Sequence, residues 1–242
     1  CHDALGAKLI EESGFEVCFF SGFALSASRL GMPDVGLATF TEMLDGGRAV
    51  CEAVSIPVIG DGDTGYGGVL NVRRTVEGYA RAGFAGLTIE DQTFPKRCAY
   101  AKGVQVVPFG EALERVRAAV KARDELRERS GVDIVIIART DCRKDQGIDD
   151  PLEEAKRRCQ AFRSAGADVA YAEGLRDERE MQSLSDAMRG TPCMLAQVEA
   201  PGSVPLTPQQ AHAMGFRILL RGVTLLNVYV TSLRRALSTI RQ

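Results

Sequence analysis

Seven short apolar runs recur along the chain, separated by stretches with helical spacing, and this alternation restricts the fold more than any other feature. The runs are 16–20, 57–63, 86–92, 133–140, 168–174, 192–198 and 216–222. None shows the clean in-and-out alternation of a half-solvated sheet, so each reads as a strand buried on both faces. Helices are expected over 3–12, 41–54, 70–82, 110–130, 151–165, 176–188, 208–214 and 225–241, and the long one sets Leu113, Val116, Ala119 and Val120 on one face. Strands and helices in this order build a parallel sheet. The fold expected is α/β, a (β/α)8 TIM-type barrel formed by 1–242 as a single domain, with its first strand lying before Cys1. An open doubly wound sheet is the alternative, but no GxGxxG stands at a strand-to-helix turn with an acid about 20 residues further on.

Thirty basic against 32 acidic residues leave a formal charge of −2. That balance gives no net field toward nucleic acid or an anionic membrane, so small molecules are the expected partners. The seven cysteines, at 1, 18, 51, 98, 142, 159 and 193, are odd in number and never spaced as CxxC. They read as reduced thiols of a cytoplasmic compartment. The most apolar late stretch, 216–233, is interrupted by Arg217 and Arg221 and falls short of the roughly 20 residues a membrane helix needs. No Arg-rich or signal-like leader is visible; a sequence starting at Cys1 leaves an organellar leader open.

Side chains at the C-terminal ends of barrel strands converge on one mouth although they are far apart in sequence. Taken strand by strand, those ends carry Ser21, Asp61 with Asp63, Glu90 with Asp91, Arg139, Glu173, Gln197 and Arg221. Asp61 and Asp63 are two apart on an extended chain and share a side, and Glu90 comes from the neighbouring strand. Together they form an oxygen-only, strongly negative pocket suited to Mg²⁺ or Mn²⁺; neither His2 nor His212 joins it, which argues against zinc. The plainer alternative is that Asp61 and Asp63 cap the turn-rich segment DGDTGYGG (61–68).

Ser21-Gly22, LGMPD (30–34), DGDTGYGG (61–68), TIEDQ (88–92), PKRC (95–98), IIART (136–140) and AEG (172–174) occur in this order over almost the whole chain. This combination resembles the isocitrate lyase / phosphoenolpyruvate mutase superfamily, in its methylisocitrate, 2,3-dimethylmalate and oxaloacetate (petal-death-type) lyase subgroup. The resemblance implies that Asp61 binds Mg²⁺ directly while Asp34, Asp63 and Glu90 hold its waters. It also implies that Ser21 and Gly22, with Phe23, Tyr66, Lys96, Arg97 and Gln197, bind substrate, and that Arg139 steadies an enolate that Cys98 protonates. Glu173 is a second acid near the reacting centre or an ion-pair partner of Arg139. A homo-oligomer, dimer or tetramer, is implied as well.

Chemistry supports these roles independently. Cleaving a C–C bond beside a 2-hydroxy acid develops an oxyanion that a metal and a guanidinium stabilise in a site closed to water. Cys98 stands beside Lys96 and Arg97, cations expected to lower its thiol pKa, on a loop (93–108) expected to act as a lid. Its presence favours C–C over P–C chemistry, since phosphonate-processing members of the resembled group typically carry Asn there. Three departures stand out: Ala99-Tyr100 where lyases usually continue Gly-His, Val104 where a lysine is usual, and Gln197 where Asn is common, with Glu199 following the pattern. The expected activity is a Mg-dependent lyase cleaving a 2-substituted malate or methylisocitrate-like acid to a 2-oxo acid through an enolate. An oxaloacetate hydrolase, a P–C enzyme of the phosphonopyruvate type and a non-catalytic 2-oxo-acid-binding barrel are the alternatives.

Overall fold

The computed structural model describes residues 1–198 and 205–241. Seven parallel strands, β1 (Cys18–Phe20), β2 (Val58–Asp61), β3 (Gly86–Glu90), β4 (Val135–Thr140), β5 (Val169–Ala172), β6 (Cys193–Ala196) and β7 (Phe216–Leu220), pair in chain order. The helices are α1 (Ala4–Glu12), α2 (Gly22–Leu25), α3 (Phe40–Ala53), α4 (Val69–Arg81), α5 (Phe109–Ser130), α6 (Pro151–Ser164), α7 (Glu178–Ala187), α8 (Pro208–Ala213) and α9 (Thr224–Ile240). The result is the curled, parallel α/β barrel-type sheet that the alternating pattern predicts. No ladder joins β7 to β1 among the described residues. On the outer edge of β1, the Cys1 amino group donates to the Phe19 carbonyl (2.7 Å) and the Cys1 carbonyl accepts from the Ser21 N–H (3.0 Å). That is the edge on which the expected additional strand would pair.

Strand parity divides the core into an inside and an outside. Ile59, Ile137, Val169, Tyr171, Met194 and Leu220 pack together with Phe19, Ala196 and Ile218. The alternate residues Phe20, Val58, Leu87 and Ile89 pack outward against the helices, with Met43, Val72, Val76 and Tyr79. Helix ends follow their sequence signals: Thr39 with Glu42, and Thr207 with Gln210, form capping boxes, and Asp150 caps α6 ahead of Pro151. One helix has no counterpart in the expected series. α2 runs on as a π-turn segment, Ser26–Leu30, and Gly31 (φ 62°) ends it in the left-handed conformation. Its small-residue sequence, GFALSASRL, lacks the periodic apolar stripe by which a helix is recognised.

The packing outside β2 bears directly on the mouth. Tyr79 and Phe84 stack with ring centroids 4.6 Å apart, and both press on Gly60, where an added Cβ would come within 2.7 Å of each ring. The Tyr79 hydroxyl then donates to the Asp61 carbonyl (2.8 Å). Gly60→Ala is therefore expected to overpack this contact and destabilise the protein by about 1–3 kcal/mol. Chemical denaturation would measure the loss, and an unchanged midpoint would mean that the two rings give way freely.

Candidate active site

The inward row of strands β1 to β5 changes character near the C-terminal end. Phe19 gives way to Ser21, Ile59 to Asp61, Thr88 to Glu90, Ile137 to Arg139 and Tyr171 to Glu173. Register brings the charged members together, since Glu90 lies opposite Arg139 and Arg139 opposite Tyr171. Asp61, Asp63, Glu90 and Glu173 are all buried there.

Backbone geometry fixes the acids on the β2 side. Asp61 Oδ2 accepts the Gly22 N–H (3.1 Å); its Oδ1 accepts the Asp63 N–H and the Thr88 hydroxyl, both at 3.3 Å. Asp63 and Tyr66 adopt positive φ (47° and 61°), which non-glycine residues hold only when their surroundings demand it. Gly62 passes so close to β3 that a Cβ would sit 2.4 Å from the Thr88 carbonyl oxygen. Ser21 caps α2, its hydroxyl oxygen accepting the Ala24 N–H (3.2 Å), and Gly22 and Phe23 begin that helix.

Lys96, expected among the substrate contacts, reaches back from the 93–108 loop to bridge Asp34 (2.5 Å) and Asp63 (2.7 Å). Burial pushes the Asp63 carboxyl up to about 7, with Lys96 opposing and Asp61 and Asp34 adding to the rise. Burial also raises Glu90 well above the usual carboxylate range despite Arg139. Burial works against the charge on Lys96, but Asp63, Asp34 and Glu90 outweigh it and hold the ammonium well above its ordinary value.

On the opposite side Arg139 is clamped by Asp141, with Nε donating to Oδ2 (3.1 Å) and an NH2 nitrogen to Oδ1 (2.8 Å). Glu90 lies 3.3 Å and Glu173 3.8 Å from the same guanidinium. Both oxygens of Glu173 accept tyrosine hydroxyls, one from Tyr171 and one from Tyr100 of the loop (3.0 Å). The ion pair with Arg139 and a place in the mouth thus coexist for this residue.

The loop is closed at its base by the Gln92–Val106 bridge, and the Cys98 N–H donates to the Asp34 carbonyl (2.9 Å). The expected lowering of the Cys98 thiol gives way to a rise, caused first by burial. The Tyr100 backbone N–H, Lys96 and Arg139 counter it only in part, and Asp34 adds to the rise. Arg97 turns away, its guanidinium donating to the Lys102 carbonyl (3.3 Å). Tyr66 points its hydroxyl at Tyr79 (3.2 Å) and so supports the Asp61 turn. Gln197 is buried, its N–H donating to the Leu220 carbonyl (2.8 Å). Glu199 lies outside the described residues. His212 contacts Arg217, and His2 stacks edge-on against Tyr229, both away from the acidic cluster. Asp141, Tyr171 and Tyr100 are the contributors the sequence reading passed over or left undecided. Asp141 and Tyr171 each stand two residues from a mouth residue on the same strand side, whereas Asp63, expected to follow Asp61 on an extended chain, lies past the end of β2 in a left-handed turn.

The acids of this pocket offer oxygen donors, and Glu90 Oε1 is buried without a hydrogen-bond partner among the described residues. No three acidic, His or Cys groups among the described residues are close enough to chelate an ion directly. A dispersed ring of carboxylates of this kind fits a hard cation that keeps several of its waters, as Mg²⁺ does.

A parallel α/β barrel with an acidic, all-oxygen site on its C-terminal rim is thus the class that fold and site define. The chain belongs to the phosphoenolpyruvate phosphomutase family, whose profile matches residues 1–241. It is 40% identical to 2,3-dimethylmalate lyase of Eubacterium barkeri over 220 residues, 90% of this chain and 72% of that protein. It superposes on oxaloacetate acetylhydrolase bound to 3,3-difluorooxalacetate with a TM-score of 0.92 at 37% identity, over all of this chain and 80% of that one. Phosphonopyruvate hydrolase in complex with oxalate and Mg²⁺ gives 0.84 at 32% identity, again over all of this chain and 80% of that one.

Tyr100 joins the loop to the barrel through Glu173, and Lys144 lies 4.6 Å from its ring centroid on the barrel side. Tyr100→Phe should speed hydrogen exchange over 93–107 and leave the strands unaffected. Unchanged protection would show that Lys96 and the Gln92–Val106 bridge hold the loop unaided.

Proposed function

We propose that this chain is a Mg²⁺-dependent carbon–carbon lyase that cleaves a 2-hydroxy di- or tricarboxylate, a 2-substituted malate or a methylisocitrate-like acid, to a 2-oxo acid. The observation that carries this reading is the meeting of Asp61, Asp63 and Glu90 with Arg139 and Glu173 at one mouth, under a loop that carries Cys98.

In the cleavage, the C2 hydroxyl loses its proton and C2 becomes the carbonyl of the 2-oxo acid. The electron pair of the C2–C3 bond passes to C3, where an enolate-type carbanion forms beside a carboxylate and must be protonated. Glu173, held by two tyrosine hydroxyls, takes the hydroxyl proton. Ser21 and Gly22, at the start of α2 beside Asp61, receive the substrate carboxylate. Arg139, fixed in plane by Asp141, offsets the negative charge that develops. Cys98, whose thiol is pushed up by burial, returns a proton to C3. Mg²⁺ held by Asp61, with Asp34, Asp63 and Glu90 around its waters, would supply Lewis-acid charge to the substrate oxygens. Loop 93–108 acts as the lid that keeps water from the carbanion.

A second reading draws on the likeness to oxaloacetate acetylhydrolase. Attack of water on the C2 carbonyl of oxaloacetate would break the same bond and yield oxalate and acetate. A panel of 2-substituted malates, methylisocitrate and oxaloacetate, assayed with Mg²⁺, separates the two: 2-oxo acid release supports the lyase, oxalate release from oxaloacetate alone the hydrolase. Cys98→Ser should reduce turnover by roughly 10²–10⁴-fold while oxalate binding changes little; equal loss of both would mark a structural cysteine. Asp61→Ala should abolish metal-dependent turnover, and wild-type activity that persists in excess chelator would contradict the metal requirement.

A further inference from the structure

Arg139 is held by more acid than an ion pair requires. Its guanidinium has Asp141 at 2.8 and 3.1 Å, Glu90 at 3.3 Å and Glu173 at 3.8 Å. Of the three, only Asp141 meets it with both oxygens, the geometry that sets the plane as well as the place of a guanidinium. Glu90 and Glu173 are therefore competitors: without Asp141, Arg139 has two other buried carboxylates within reach, each belonging to the mouth in its own right.

What fixes Asp141 lies behind the sheet. Its side chain is completely buried, and its N–H donates to Asp91 Oδ1 (2.9 Å). Asp91 is one residue past Glu90 and so faces the opposite side, toward α6. There its Oδ2 accepts from Arg158 (2.9 Å), a residue 4% exposed that is itself steadied by Glu154 (2.7 Å). Two nitrogens of Arg158 also donate to the Val107 carbonyl, each at 3.1 Å, and the Val107 N–H returns to the Asp91 carbonyl (2.8 Å). One buried pair thus holds both the strand end that carries Asp141 and the end of the 93–108 loop.

We propose that Asp141 is a positioning residue that keeps Arg139 from turning fully onto Glu90 and Glu173, its weaker partners, and holds it toward substrate, and that the Asp91–Arg158 pair behind the sheet holds Asp141 in place. The assignment rests on the lyase reading for the role of Arg139, but the geometry it invokes can be measured without turnover.

The test is a double-mutant cycle between Arg139→Lys and Asp141→Asn, with Arg158→Lys as a second, milder partner. Lysine at 139 cannot make the two-pronged contact, so a residue that works only through that contact has nothing further to lose in this background. Asp141→Asn alone should lower kcat on the order of 10²-fold with KM changed far less, as expected of a displaced transition-state group. Arg158→Lys should lower it less. Both losses should vanish when Arg139→Lys is already present. Losses that multiply across the cycle would overturn the proposal, because a merely structural residue destabilises either background alike. The same cycle read on oxalate affinity by calorimetry separates the two failures. Absence of turnover across the substrate panel with a non-additive oxalate cycle would defeat the lyase reading and leave the positioning role standing. A crystal structure of Asp141→Asn, or of Arg158→Lys if that variant alone folds, should show the guanidinium shifted onto Glu90 or Glu173. An undisturbed Arg139 would refute the role directly.

Discussion

The charged groups that the strands bring to the mouth depend on the two-residue side-chain period of a β-strand. The same alternation that fills the barrel with Phe19, Ile59, Ile137, Val169 and Tyr171 delivers Ser21, Asp61, Arg139 and Glu173 to its rim two residues later. A one-residue slip in any strand would exchange the two sides and point that strand's polar end into the layer between sheet and helices. Glu90 and Asp91 display both outcomes side by side: the first faces Arg139 inside, the second Arg158 outside. The apolar interior below therefore also fixes the register of the chemistry above it.

Placing carboxylates there creates an electrostatic problem that the chain resolves only in part. Asp34, Asp61, Asp63 and Glu90 share Lys96 and a guanidinium that is mostly committed to Asp141. Burial raises Asp63 and Glu90 because so little positive charge is available to offset their desolvation. A divalent cation would supply what the protein lacks. Lys96 has a different status from the other basic residues of the loop, because its ammonium is already part of this balance while Arg97 serves the loop's own fold.

Much of this was legible in the sequence, because strands buried on both faces and helices with one apolar face leave strong periodic signals. The seven strands fall within the expected stretches, α5 departs from its own by one residue, and the strand-end reading named Asp61, Glu90, Arg139 and Glu173. The α2 helix escaped because its small residues carry no stripe, its start being set by the Ser21 cap and its continuation by packing. Asp141 escaped although the signal was present: two residues past Arg139, it obeys the spacing already used for Asp61 and Asp63. The resemblance also named Tyr66 as a substrate contact; its left-handed backbone sets its direction, and its hydroxyl meets Tyr79.

The Cys98 thiol shows why position along a chain is a poor guide to charge. Two cations adjoin it in sequence, which suggests a thiolate, but Lys96, bound to Asp34 and Asp63, lowers it only in part, and Arg97 is bound to the loop backbone. Burial outweighs them and the thiol is pushed up. For a proton donor this is the useful direction. A thiolate would have nothing to give to a carbanion, and it would add one more negative charge to a mouth already short of positive ones. Burial sets that direction and Asp34, which engages Lys96, adds to it, so in the proposed mechanism the closed loop itself favours the proton on Cys98.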